Sequence, residues 1–343
     1  MKRLARIPGL KLWTMLLLLV GSFSSCDILD EEYEDCAVYV RFKYDMNMNF
    51  ADAFPNAVNS VTLYAFDKDG VLVYQKTEEG ELLKQDGYRM RLDGISRMDK
   101  AEYDFITWAG DADREESFLV PVLTEGSSTK EDLIYQLKRA GDGIVNHDLK
   151  DLFHGQVNGV KIGRAAEEIP GYEVVVPLTK NTNSIRIVLQ HLSGQPVDVS
   201  KLHFSITDKN GKLNYDNSLM EDPQVTYQAW HKAQGSAGLG EEQEGVITEV
   251  NLALADLTVS RLMADEEPIL VVTNDEEKQV IRIPLIDYAL LYKRLRYEDM
   301  PDQEFLDRQD EYNMTFFLDE NYRWINQFIY INSWKVVLQE SEL

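Results

Sequence analysis

The chain has 343 residues, and its 59 acidic and 35 basic side chains give a formal net charge of -24. A field of this sign repels phosphate backbones, so the composition excludes nucleic acid as a partner. Hydrophobic residues make up 44% of the chain, enough for two cores, and only two cysteines are present, which excludes a framework of several disulfides.

The first 26 residues combine a basic start, an apolar run at 12–20 and small residues before Cys26. The run is shorter than the roughly 20 residues of a membrane-spanning helix. The pattern resembles a bacterial lipoprotein signal, which is cut between Ser25 and Cys26 and carries diacylglycerol on the thiol. We therefore expect residues 1–25 to be a signal peptide and Cys26 to be the lipid attachment site. An ordinary signal peptide and a buried N-terminal helix are the alternatives.

An acidic segment follows the lipid-bearing position. Residues 27–35 hold six acidic residues and no basic one, so residues 26–36 are predicted to form a solvated tether. The segment resembles the acidic start of surface lipoproteins of the Bacteroidetes, which implies export to the outer face of the outer membrane. A plain soluble linker is the alternative. Cys36 is expected to be a small buried side chain.

Most of the remaining chain has strand patterns. Residues 38–44 alternate apolar and polar side chains, and residues 60–66 and 71–75 flank a turn at Asp67–Gly70, which predicts a hairpin. The segment 201–215 reads KLHFSITDKNGKLNY against SVTLYAFDKDGVLVY at 60–74, so a second hairpin is predicted there. Two matches in the same order indicate tandem copies of one β-domain.

The predicted domain boundary lies at the polar stretch 179–183. The expected organisation is an N-terminal β-sandwich at 37–178 and a C-terminal β-sandwich at 179–343. Helices are predicted at 128–139, where Ser128 and Glu131 suit a capping box, and at 287–296. The last strands are predicted within 328–338. The fold class is thus mainly β, with two tandem sandwiches and short helical insertions.

No catalytic motif is present: the sequence lacks a GxSxG elbow, an HExxH pair and a phosphate-binding glycine loop. His147 and His154 lie close together, but a satisfied His154 beside a packed Phe153 is favoured over a metal site. Strand tryptophans are expected in the core; they are Trp108, Trp230, Trp324 and Trp334. No catalytic residue, metal or cofactor is predicted, and the chain is expected not to be an enzyme.

Several segments together resemble one family. They are VRFKYDMN at 40–47, SVTLYAFDKDGVLV at 60–73, YDFITWAG at 103–110, DLFHG at 151–155, the block at 291–319 and INSWKVVLQ at 331–339, with Cys26 and Cys36 before them. The chain resembles the FimB-type fimbrial anchor lipoproteins of Bacteroidetes. The resemblance implies transthyretin-like sandwiches, a surface position in the cell outer membrane at the fimbrium base, and a fimbrial shaft subunit as partner.

The resemblance also implies that subunits join by strand complementation, which is a form of β-augmentation. The C-terminal segment is the predicted subunit contact, with Trp334, Val336 and Leu338 as its residues, although it could equally be the last core strand. Shaft subunits of such fimbriae are clipped after an arginine. Arg41 is the nearest candidate here and is expected to remain an uncut strand residue. The alternatives are a fimbrial tip or adhesin subunit, a surface glycan-binding lipoprotein and a lipid-anchored hydrolase.

Overall fold

The computed structural model describes residues 38–93, 102–162, 172–238, 249–326, 328–332 and 334–337. The strands before residue 181 are β1 (Tyr39–Lys43), β2 (Ser60–Asp67), β3 (Leu72–Glu79), β4 (Arg89–Arg91), β5 (Tyr103–Gly110), β6 (Phe118–Leu119), β7 (Tyr135–Leu137), β8 (Ile144–Val145), β9 (Leu152–Val160) and β10 (Glu173–Lys180). The strands after it are β11 (Thr182–His191), β12 (Leu202–Asp208), β13 (Lys212–Leu213), β14 (Val225–Gln228), β15 (His231–Gly238), β16 (Glu249–Ser260), β17 (Ile269–Asn274), β18 (Gln279–Pro284), β19 (Glu311–Leu318), β20 (Phe328–Ile331) and β21 (Trp334–Val337).

In the described residues, four short helices accompany the strands: α1 (Phe54–Ala57), α2 (Gly80–Lys84), α3 (Leu285–Arg296) and α4 (Asp302–Arg308). The mainly β fold class with short helices is confirmed, and α3 confirms the helix predicted at 287–296. Within the described ranges, none of the helices is both long and apolar enough to pass through a bilayer.

The first half of the chain builds a seven-stranded sheet in the order β3-β2-β5-β9-β10-β1-β4. β1 alternates half-buried and buried side chains, with Val40 and Phe42 turned inward, as its sequence pattern predicts. Strands β1 and β2 lie far apart in the sheet order, yet side chains of both belong to one core cluster. The sheet therefore curls around this core.

The second half is a sandwich of two sheets. A six-stranded sheet has the order β15-β16-β11-β19-β20-β21, and a five-stranded sheet has the order β18-β17-β12-β14-β8. Their inward side chains, such as Ile187 on β11 and Phe204 on β12, share a second core. This core also takes Ile106 and Trp108 from the first sheet, so β5 is buried on both faces and the two halves pack on common side chains.

The internal repeat is visible in the strand pairing. In each half the first strand runs parallel to the last long strand, β1 beside β10 and β11 beside β19. The second strand of each half is antiparallel to a later one, β2 to β5 and β12 to β17. Strand β8 nevertheless pairs with β14, and β7 pairs with β13, so hydrogen bonds cross the predicted boundary at 178–179. That boundary stays a prediction.

The first predicted hairpin is confirmed. β2 and β3 are antiparallel, and the Asp67 carboxylate accepts hydrogen bonds from the backbone N–H groups of Asp69 and Val71. Gly70 has φ +77°, a left-handed conformation that favours glycine, and it allows the chain to return at once.

The second predicted hairpin, at 201–215, is wrong. β12 pairs with β14 and β17, whereas β13 leaves to pair with β7. The cause is Asn210, which replaces Asp69 of the first copy and is fully buried. Its amide donates to the carbonyl oxygens of Ser260 and Arg261 and its own oxygen accepts from Tyr227 Oη, so the turn is held against β16 and the chain does not fold back.

The helix predicted at 128–139 is also wrong. A capping box does form, but between Thr129 and Asp132, and it starts only a 3-10 turn at Lys130–Asp132. The residues that follow bury Leu133, Tyr135 and Leu137 at a spacing of two. This is the period of a strand, and β7 results because it can pair with β6 and β13.

Candidate subunit interface

The N-terminal strand β1 is an inner strand of its sheet. It pairs in parallel with β10 on one side and with β4 on the other. Arg41 donates from Nε and Nη2 to the two carboxylate oxygens of Glu173, at 2.8 and 3.0 Å, and Glu173 holds the pKa of the guanidinium above its ordinary value. Such bidentate pairs fix geometry. The prediction that Arg41 is a strand residue is confirmed; whether the chain is cut after it stays a prediction.

An open sheet edge is the physical requirement for strand addition, and most edges here are protected. β4 has only three residues, two of them arginines. β3 carries Lys76, Glu78 and Glu79, and β18 carries Arg282 and ends at Pro284. Charges, prolines and short length are the usual devices against edge-to-edge pairing. These three edges are therefore poor acceptors.

The six-stranded sheet has two less protected edges, β15 and β21. β15 reads HKAQGSAG, with no charge after Lys232. Lys232 Nζ donates to the carbonyl oxygen of Leu202, and the Gln234 side chain accepts from the backbone N–H of Val199. The segment 199–202 therefore already lies along the first residues of β15. Within the described residues, β21 is the edge strand on the other side; β20 is its only strand partner, and the helix α3 also contacts it.

The C-terminal hairpin joins a core strand to an edge strand. Ile329 and Ile331 of β20 are fully buried, and Met314 of β19 pairs with Ile331. β21 is antiparallel to β20, from Trp334 opposite Ile331 to Val337 opposite Phe328. Ile331 and Trp334 flank a two-residue turn, so these two residues exchange both backbone N–H···O=C hydrogen bonds. Hydrogen-bonded and non-hydrogen-bonded pairs alternate along an antiparallel ladder, so the next pairs opposite residues 335 and 337 are of the non-hydrogen-bonded kind and the one at residue 336 is hydrogen-bonded. The backbone N–H groups of residues 335 and 337 therefore point to the open edge.

The predicted contact residues fall partly within this hairpin. Trp334 and Val336 belong to β21, whereas Leu338 lies outside the described residues. Ser25, Cys26 and Cys36 also lie outside them, so the predicted cleavage and lipidation sites stay predictions.

His154 is a structural residue on β9. It is buried, its Nε2 lies 2.8 Å from the carbonyl oxygen of Tyr215, and the Trp108 ring packs edge-on against it at 4.8 Å. Burial lowers the pKa of His154 from 6.5 to about 4, so the ring is neutral at pH 7. His147 is exposed, and in the part of the chain that the structure describes no three His, Cys, Asp or Glu side chains converge as metal ligands.

The tryptophans divide between core and surface. Trp108 is fully buried and Trp324 packs against the core, as predicted, but Trp230 is 40% exposed. The indole N–H of Trp230 donates to Thr258 Oγ1, which keeps the ring on the outer face of the six-stranded sheet. Phe50 and Tyr322 are also exposed, and they lie on separate loops.

A sequence profile of the fimbrillin-A associated anchor proteins Mfa1 and Mfa2 matches residues 33–340. The chain belongs to the fimbrillin-A associated anchor protein family. The predicted membership of a fimbrial anchor family is thereby confirmed.

Individual relatives agree with this assignment. The minor fimbrium anchoring subunit Mfa2 of Porphyromonas gingivalis is 23% identical over 229 residues, or 65% of this chain, and the match spans 66% of that relative, just under two thirds. Two solved structures from Bacteroides thetaiotaomicron superpose well. One, provisionally assigned as an adhesin, is 37% identical with a TM-score of 0.76, covering 88% of this chain and 97% of the other. The second, provisionally assigned as polysaccharide-binding, is 32% identical with a TM-score of 0.75, covering 90% and 100%.

Proposed function

We propose that this protein is a surface-exposed lipoprotein of the outer membrane that anchors a fimbria through lipid on Cys26. The observation that carries the proposal is the inner position of β1. Cleavage after Arg41 would require β1 to separate from both β10 and β4 and the Arg41–Glu173 pair to break. A strand held on both sides keeps the segment that leads back to Cys26 attached to the folded body. Anchor-family membership supports this position at the base of the fimbrium.

The second part of the proposal concerns the shaft subunit. We propose that one of its strands adds to the open edge of β21, with backbone hydrogen bonds supplying affinity. Trp334, Val336 and Leu338, the contact residues predicted from the sequence, occupy every second position of this segment. In this arrangement the C-terminal segment stays hydrogen-bonded to its own sheet and accepts a partner strand.

We expect Cys26→Ala to release intact fimbriae into the medium while wild-type cells retain them, because the lipid is the only proposed attachment to the membrane. The measurement is the fraction of shaft protein in the medium and on cells after gentle washing. Ser25→Ala is the matched control, since alanine is as small as serine and leaves the thiol in place. The tip or adhesin alternative, which an adhesin-assigned relative favours, predicts that Cys26→Ala cells keep their fimbriae.

We expect Lys335→Pro to abolish joining to the shaft without unfolding the protein. Proline removes the N–H group that points to the open edge, and edge positions tolerate proline. The measurement is co-purification of the lipoprotein with sheared fimbriae, with urea unfolding as the test of folding. Lys335→Ala removes the same charge, keeps the N–H and should join normally. Equal joining by both variants would place the contact elsewhere.

A further inference from the structure

A groove of about 380 Å³ opens beside the β2–β3 hairpin, next to the 3-10 turn Arg114–Glu116. Its lining includes Thr62, Thr77, Lys76, Glu79, Arg114 and Glu115. The volume lies near the lower end of the about 300–1,000 Å³ typical of small-molecule sites. The groove lies on the seven-stranded sheet, whereas the C-terminal hairpin belongs to the six-stranded sheet.

Arg114 is the unusual member of this lining. Only 5% of the residue is exposed. Its Nη1 donates to Ser60 Oγ at 2.7 Å and to the carbonyl oxygen of Asp111 at 3.3 Å, and its Nη2 donates to Thr62 Oγ1 at 3.0 Å. Its buried Nε has no hydrogen-bond partner in the described chain. All its acceptors are uncharged oxygens, and no carboxylate of the described residues lies within ion-pair distance, 4.0 Å, of the guanidinium.

The other charged side chains of the groove form no direct ion pair with Arg114 among the described residues. Lys76 is already paired with Glu78 at 3.1 Å and with Asp93 at 2.7 Å. Glu79 accepts a hydrogen bond from Ser60 Oγ and so lies one hydroxyl away from the guanidinium. Glu115 is exposed on the turn. A buried cation whose partners are all neutral is costly unless an anion compensates it.

We propose that this groove binds one carboxylate group, carried by an acidic side chain of a neighbouring protein. Guanidinium is the side chain best matched to a planar carboxylate. Glu79 and Glu115 also border the groove, so a singly charged carboxylate is repelled less than a dianion such as phosphate. The site depends neither on lipidation nor on strand addition.

The test measures the melting temperature of the full-length protein at pH 7 in increasing sodium acetate, against sodium chloride of equal ionic strength. We expect a saturable rise of a few degrees that acetate alone produces, because a ligand bound only by the folded state stabilises it. Arg114→Gln keeps hydrogen-bond donors for Ser60 and Thr62 but removes the charge, and it should lose the rise. An equal rise in wild type and Arg114→Gln would overturn the proposal.

A second pair of variants keeps the proposal testable if Arg114→Gln does not fold. Glu115→Gln removes a negative charge from the groove lining and should tighten acetate binding several-fold. Glu116→Gln makes the same change in net charge on the neighbouring residue, which faces Lys150 at 3.7 Å and does not line the groove. It should change binding less. Identical acetate titrations for these two variants and wild type would contradict a site at Arg114.

The source of the carboxylate is decided by competing probes. Glucuronate and a short glutamate-containing peptide are titrated under the same conditions as acetate. Tighter binding of glucuronate would indicate a polysaccharide ligand, and tighter binding of the peptide would indicate a protein partner. Inorganic phosphate should bind more weakly than acetate, and tighter binding of phosphate would show that the carboxylate assignment is wrong.

Discussion

Gly110→Ala is expected to lower the free energy of unfolding by about 3 kcal/mol or more. A Cβ at this position would lie 1.9 Å from the carbonyl oxygen of Asp151 and 2.8 Å from its carbonyl carbon. Both atoms are backbone. Gly110 lies at the end of β5 between Leu152 of β9 and Ser60 of β2, so neither neighbour can withdraw without breaking sheet pairing.

Gly110 also has φ +142°, a region that alanine rarely adopts, so strain adds to the clash. Gly159→Ala is the matched control. Gly159 lies on β9 with φ +69°, and a Cβ there would meet no atom within 4 Å. It should cost only the left-handed strain, about 1 kcal/mol. Urea unfolding of both variants separates clash from strain; equal losses would show that the close approach of β5 and β9 is not rigid.

Trp108→Ala is expected to lower the free energy of unfolding by about 3–5 kcal/mol, the range for truncation of a large buried aromatic residue. Trp108 is fully buried, and its ring stacks on Tyr135 with centroids 4.2 Å apart and 18° between the planes. Tyr135 belongs to β7, which pairs with β13 from the second half of the chain. The indole therefore fills the space where the first sheet meets the second half.

Trp230→Ala is the control for this loss. The same truncation removes a 40% exposed ring and one hydrogen bond to Thr258, so it should cost about 1 kcal/mol. Circular dichroism during urea unfolding measures both variants. A loss for Trp108→Ala no larger than that for Trp230→Ala would mean that the two halves do not depend on this contact.

Elements whose signal is local could be predicted from the sequence. The hairpin β2–β3 follows from a strand pattern on each side of a glycine that must adopt a positive φ. The helix α3 follows from a run of helix-forming residues at 287–296. In both cases the residues that decide the structure lie within a few positions of each other.

Elements decided by distant partners could not be predicted in this way. The 201–215 segment copies the first hairpin closely, but Asn210 is bonded to backbone around residue 260 and so breaks the hairpin. The 128–139 segment has a capping box, but pairing with β6 and β13 turns it into a strand. The local pattern was correct about the turn, the capping box forms one residue later than predicted, and tertiary pairing determined what followed.

Of the two candidate sites, one could be predicted from a local sequence pattern and the other could not. The N-terminal signal is local and predicts Cys26 directly, whereas Arg114 carries no signal of its own. It precedes Glu115 and Glu116 in a charged stretch that resembles an ordinary exposed loop. Only the fold brings it against Ser60 and Thr62, more than fifty positions earlier, and buries it there.

The intact mass of the protein extracted from washed outer membranes tests most directly whether the folded body stays joined to its lipid. We predict one species that begins at Cys26, carries acyl chains and retains β1 with Arg41. A polypeptide that begins at Phe42 and carries no lipid would contradict the anchor and make the protein a fimbrial subunit that is released by cleavage.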